Sequence, residues 1–155
     1  PGGRKADSNP ELPWKIEILA DGSPRVFELT LGQSLLEHAV PLLSESPTLS
    51  LFRSTAGIFS IEAYFQRVAL SGLRPIRHIT YIPAADLDAE LLERYFGKPQ
   101  QILDDPEGGK HWLYPDKGLD ITLNENTKEV FQYVHPNQFN QLLTPLLEPK
   151  TAGKN

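Results

Sequence analysis

Several runs of this chain alternate apolar and polar residues, and runs of helical spacing separate them. Ile16 and Ile18 alternate with Lys15 and Glu17, "DGSP" (Asp21 to Pro24) supplies a turn, and Val26 and Leu29 resume the pattern. That order predicts a hairpin. In "TLGQSLLEHAVPLL", Leu31, Leu35, Leu36 and Val40 fall on one stripe of a helix. Thr30 is placed to cap it and Pro41 to end or kink it. "TLSLFRS" and "IFSIEAYFQRVAL" read as strands, the second with Phe59, Ile61 and Ala63 on one face and Glu62 on the other. "RPIRHITYIP" is a further strand, closed by Pro83.

The second half repeats this grammar. "DLDAELLERYFGKP" predicts a helix capped by Asp86, with Leu87, Leu91 and Leu92 as its stripe and Gly97 as its stop. "QQILDDPEGG" reads as a turn-rich connection, "KHWLYP" and "LDITLN" as strands, and "EVFQYVHP" as the last strand after the turn "ENTK". "NQFNQLLTPLL" predicts a short apolar helix covering the end of the core.

One shift of the chain lays Leu31 on Leu87, Leu35 on Leu91, Leu36 on Leu92 and the cap Thr30 on Asp86. A slightly longer shift lays Phe52 on Trp112, Phe59 on Leu119 and Ile61 on Ile121, and a shorter one lays "TYIP" on "YVHP". The shifts change only at loops, where insertions are tolerated. The expected fold is α+β: two helix-plus-three-strand repeats, with helices packed on one face of a mostly antiparallel sheet. Residues 1–13 form a linker or processing remnant, 14–83 the hairpin and first module, 84–147 the second module and C-terminal helix, and 148–155 a tail.

Composition narrows the function. The 155 residues are 39% hydrophobic, enough for a sizeable core, and carry 15 Lys and Arg against 20 Asp and Glu, a net charge of −5. A nucleic-acid or anionic-membrane binder needs a basic surface, and the net negative charge, with no Lys/Arg cluster longer than two, argues against one. No apolar run approaches the ~18 residues that span a bilayer. The absence of Cys removes disulfides, zinc–thiolate sites and Cys nucleophiles. The sequence holds no Met, which removal of a start Met or of a cleaved signal would each explain; with the polar, breaker-rich "PGGRKADSNP" read as a processing remnant, the expectation is an exported, periplasmic chain, with a cytoplasmic one as the alternative.

The densest chemistry lies in "KHWLYPDKGLDITLN". His111 and Asp120 fall on faces that allow them to meet, as a general base and its carboxylate would. The bland alternative is that both are solvated strand positions. Trp112 and Tyr114 offer a binding platform, or, as aromatics at alternate strand positions more commonly do, they fill a core. "DDPEGG" (Asp104 to Gly109) lacks the ligand spacing of a calcium loop and reads as a solvated turn. His38, His78 and His135 show no metal-ligand spacing, and no nucleophile elbow or phosphate loop is present. The candidate binding residues are therefore Trp112, Tyr114, His111 and Asp120, with no catalytic set, metal or cofactor.

The second half also carries recognisable wording: a capped helix ending in "FGKP" (Phe96 to Pro99), then "WLY" (Trp112 to Tyr114), an alternating strand, a polar turn and a third strand. This resembles the SmpA/OmlA (BamE-like) modules of small bacterial envelope lipoproteins. Tandem copies are similar in architecture to the secreted β-lactamase inhibitor protein. The likeness spans roughly residues 30–136; in its first copy Pro41 and "LLSESP" replace the Gly-x-Pro stop and Phe52 stands in the place of Trp. The resemblance implies a non-catalytic interaction or scaffolding role in the cell envelope, with a protein partner. Its alternatives are a binder of a small or lipidic ligand in an apolar pocket, and a small hydrolase or metalloenzyme around His111 and Asp120. If Trp112 belongs to the core, Trp112→Ala should cost ~3–5 kcal/mol; an unchanged melting temperature would reject that placement.

Overall fold

In the computed structural model the described residues are 13–43, 48–53, 59–64, 67–72, 75–83, 87–124 and 129–147. Strands β1 (Glu17–Ile18), β2 (Pro24–Val26) and β3 (Leu29–Thr30) form a small antiparallel sheet near the N-terminus. Helix α1 (Leu36–Leu43) follows, then β4 (Thr48–Arg53), β5 (Phe59–Tyr64), β6 (Val68–Gly72) and β7 (His78–Tyr81). Helix α2 (Ala89–Phe96) leads into β8 (Gln101–Asp104), β9 (Lys110–Tyr114), β10 (Leu119–Leu123) and β11 (Val130–Val134). A 3-10 turn (Pro115–Lys117) joins β9 to β10, and a second (Pro136–Gln138) precedes helix α3 (Asn140–Leu147).

The large sheet has eight strands in the order β4-β5-β6-β7-β11-β10-β9-β8, every neighbouring pair antiparallel. Two four-stranded meanders thus meet at their last strands. Tyr81 pairs with Phe131 and Ile79 with Tyr133 across that seam. The class is α+β, but each meander has four strands where three were expected. The run from Phe59 to Leu70 reverses between Tyr64 and Ala69, which face each other in register. Of the residues joining the two strands, the polar and exposed Arg67 is described. In the second half, Gln101 to Asp104 is strand rather than turn; the turn-forming residues begin only at Asp105.

Both helix starts differ from the expected ones for reasons of backbone bonding. Gly32 sits at φ 86, outside helical space, and its N–H donates to the Ile76 carbonyl at 2.7 Å. The Leu31 N–H donates to Pro24 and the Thr30 N–H to Ser34 Oγ. Residues 30–34 are therefore occupied in tying the N-terminal sheet to the main one, and α1 begins only at Leu36. Helix α1 also runs two residues past Pro41. For α2 the cap is Asp88, whose carboxylate accepts from Leu91 N–H at 2.9 Å; Asp86 lies outside the described residues. Gly97, at φ 82, ends α2 as expected.

The main core lies between the sheet and the N-terminal segment. Val26, Phe27, Leu29 and Leu31 are buried there against Leu70, Ile79 and Tyr133, with Ala39 of α1 and Leu92 and Phe96 of α2 completing it. Leu31, Ile79, Leu92, Phe96, Trp112, Ile121, Phe131 and Val134 are buried, whereas Leu35, Leu36, Leu91 and Leu123 are half-buried. The side chains of Val40, Phe52, Phe59 and Ile61 lie outside the described set. Pro13, assigned above to the linker, is buried, and its carbonyl accepts from the Tyr133 hydroxyl at 2.9 Å. Trp14 stacks on Tyr95 of α2 at 3.9 Å. The helices do not all share one face. Phe139, Leu142 and Leu143 of the C-terminal segment pack on Leu103, Leu113 and Val134, on the side of the sheet away from α1 and α2.

The β2–β3 connection is two residues long, and both, Phe27 (φ 55) and Glu28 (φ 61), take the left-handed conformation. The tight right-handed twist of such a hairpin requires it, and Asn-Gly usually supplies it. Phe27 tolerates the position because its ring is held 5.1 Å from Tyr81 and 5.7 Å from Tyr133. Glu28 is exposed and has no such compensation. Glu28→Gly should therefore stabilise the fold by about 0.5–1 kcal/mol, the steric cost relieved less the entropy glycine loses. Urea unfolding measures this directly.

Candidate functional site

Strands β9 and β10 pair with Thr122 opposite His111 and Asp120 opposite Leu113, so His111 and Asp120 are diagonal neighbours on one face. His111 Nδ1 lies 2.9 Å from Asp120 Oδ1 and 3.1 Å from Oδ2. On its other side Nε2 lies 2.6 Å from Asp105 Oδ1. Thr122 Oγ1 is 3.3 Å from Nδ1. His111 and Asp120 are exposed by only 5% and 2%, so the solvated-strand expectation for them fails. The cause is cover from two directions. The Phe139–Leu143 segment packs on Leu103 and Leu113 beside the histidine, and the β8–β9 loop brings Asp105 over it.

That loop was read as a solvated turn, yet it is internally bonded. The Asp105 N–H donates to the Gly109 carbonyl, the Gly108 N–H to the Asp105 carbonyl, and Asn124 Nδ2 to Gly108. Gly109 sits at φ 98, where an added Cβ would strike the Leu123 carbonyl oxygen. Asp105 is the partner that sequence reasoning missed. Its signal was the hairpin formed by β8 and β9, hidden as long as "QILD" was read as part of a turn.

Carboxylates only accept hydrogen bonds, so a histidine with one at each nitrogen carries both protons. Burial by itself would lower the His111 pKa, but bonding and charge from Asp120, and then from Asp105, outweigh it and raise the pKa above its ordinary value. His111 is thus an imidazolium clamped between two carboxylates of different elements. A general base must present a free nitrogen to its substrate, and here both are taken. Among the described residues no three ligating side chains converge as a metal site.

Trp112 and Tyr114, on the opposite face of β9, are packed rather than presented. Trp112 is 9% exposed and belongs to the main core. The Tyr114 hydroxyl donates to the Gly97 carbonyl at 2.8 Å, and Lys117 Nζ donates to the Phe96 carbonyl at 3.1 Å. Together they satisfy the C-terminal carbonyls of α2. Burial, with the charge of Glu93, pushes the Tyr114 pKa up to about 12, so the hydroxyl keeps its donor proton. Beyond Asp105 opens a broad concavity of about 950 Å³, walled by Asp88, Asp104, Asp105, Glu107 and Glu129, with Lys110 the one basic group among the described lining residues. Lys110 is ion-paired with Asp104.

No family model, curated protein or solved structure matches the chain. The buried His111 cluster has a first consequence that concerns pH. A histidine pKa raised on folding contributes stability that is complete below the unfolded value, near 6.5, and is lost as pH rises through the folded value. Asp120→Ala removes the principal partner and leaves a buried cation half-satisfied, which should cost about 3–5 kcal/mol at pH 6. The difference in stability between wild type and variant should shrink as pH rises towards 9. Paired denaturation curves at the two pH values check it; a constant difference would reject the imidazolium.

Proposed function

We propose that this chain is a non-catalytic protein-interaction or scaffolding module of the bacterial cell envelope, built from two helix-plus-strand repeats. Support for the repeat is the matching order of its halves: α1 then β4 to β7, α2 then β8 to β11, each ending on a strand of the seam. Support for the envelope is the "FGKP" and "WLY" wording shared with SmpA/OmlA-like modules. Support for a non-catalytic role is the closed bonding of His111.

One observation carries the interaction reading. On the face of the sheet away from the main core, β6, β7 and β11 present Ala69, Ser71, Thr80 and Gln132, all half-buried. The residues described over that face, Phe139 to Leu143, pack towards β8, β9 and the end of β11. Among the described residues that apolar packing stops short of the centre, which carries small and polar side chains suited to a hydrogen-bonded, reversible interface. The net charge of −5 and the acidic wall beside β8 select a partner with a basic contact surface, drawn in by long-range attraction.

Placing a cation on this face should repel such a partner without touching the core. Ser71→Arg and Thr80→Arg are the variants of choice, used as bait beside the wild type in envelope extracts. The expected outcome is a band captured by wild type, lost at high salt and lost with both variants, whose melting temperatures are unchanged. Bands captured equally by wild type and variants would overturn the assignment of this face.

A further inference from the structure

We infer that a second, separate site at the end of the seam binds a small oxyanion, a phosphate or carboxylate group. A cavity of about 260 Å³ lies there, lined by Ser23, Gln33, Arg77, His135, Asn137 and Gln138 around Leu31 and Gly32. Three stretches of chain far apart in sequence meet at it: the N-terminal sheet, the residue before β7, and the turn after β11. Only Leu31 among the lining residues is apolar. Packing gives no reason to gather five polar side chains and an arginine at one point, whereas binding an anion does.

Its donors are held in place. Gly32 N–H donates to Ile76 C=O, and Ile76 N–H donates to Ser34 C=O, both at 2.7 Å, which fixes Arg77 beside Gly32. Gly32, at φ 86, leaves its open side to the guanidinium, since an added Cβ would come within 4.0 Å of Arg77 Nη1. The Asn137 N–H donates to His135 Nδ1 at 3.2 Å, so in the neutral ring the proton sits on Nε2, making that nitrogen a donor.

The arginine is left uncompensated. Among the described residues every ion pair involves Lys110 or His111, and none involves Arg77. A carboxylate does stand on the same rim: Asp21 accepts from the Ser23 N–H and from Gln33 Nε2, each at 2.9 Å. It is bonded to its own turn and to Gln33, and forms no ion pair with the guanidinium among the described residues. The planar fork of an arginine matches the two oxygens of a carboxylate or phosphate. The cavity, at about 260 Å³, is small. Sites for drug-sized ligands span about 300–1,000 Å³, so this one suits an anionic head group alone.

The test is titration of the intact chain with inorganic phosphate, with acetate and with chloride as control, followed by amide and arginine side-chain NMR. Saturable shifts at Gly32, Asn137 and the Arg77 side chain, with a dissociation constant of about 1 mM, are expected. A stronger response to phosphate identifies a phosphoryl group and a stronger response to acetate a carboxylate. Arg77→Gln should weaken binding about tenfold or more at an unchanged melting temperature, because Arg77 is exposed. Arg77→Lys, which keeps the charge without the fork, should fall between. No saturable shift by about 50 mM, or shifts that Arg77→Gln leaves unaltered, would overturn the site.

Discussion

The pairing of β7 with β11 is the constraint on which the remaining structure depends. It joins two meanders that otherwise share no strand neighbours, and it places Tyr81 beside Phe131 and Ile79 beside Tyr133. Over those residues Phe27 closes the core from above, in a backbone conformation that a bulky side chain seldom takes. From there a chain of ring contacts runs outwards: Tyr81 to Phe131, Phe131 to Phe96, Phe96 to Tyr114. Each contact is an edge-to-face or tilted one, the arrangement aromatic quadrupoles favour. The helix of the second half is thereby tied to the hairpin of the first. Tyr133, whose hydroxyl reaches the Pro13 carbonyl, fastens the entering chain to the same place.

Period-2 alternation made β9, β10 and β11 legible, because each places apolar residues on a core face and its neighbours in register agree. Alternation also revealed that His111 and Asp120 share a face. It could not reveal their burial, since cover comes from Phe139 to Leu143 and from the β8–β9 loop, and nothing local in β9 encodes where those segments pack. Helix α2 was legible by its stripe and by Gly97, with the cap displaced from Asp86 to Asp88. Helix α1 was overcalled at its start because hydrogen bonds from Leu31 to Pro24 of β2 and from Gly32 to Ile76, just before β7, outcompete the local preference for helix. The short edge strand β8 was missed for the reason short strands usually are: four residues carry little periodic signal, and the Asp, Pro and Gly that follow dominate the window.

The two faces of the sheet are unlike in chemistry. One is filled by rings and aliphatic chains from the hairpin, α1 and α2. The other is apolar under α3, then ionic at His111, then small and polar across the seam. The ionic part is an internal cation whose two counter-charges come from β10 and from the β8–β9 loop, so it fixes the loop to the sheet while keeping both ring nitrogens from solvent. The cluster of donors around Arg77 lies at the end of the same seam, so both proposed contacts are organised by the pairing that holds the molecule together.

The order of strands has a consequence for how the chain reaches this structure. Within each meander every strand pairs with its sequence neighbour, so those contacts close short loops and can form early. The β7–β11 pairing joins segments separated by the whole second meander, and its loop-closure entropy must be met before the pairing contributes anything. The seam is therefore the late step, and until it closes the core-side faces of Ile79, Phe131 and Tyr133 stand open to water. In that interval the two halves are separate bodies with unpaired strand edges, and exchange of a half between two chains becomes the characteristic error of this topology.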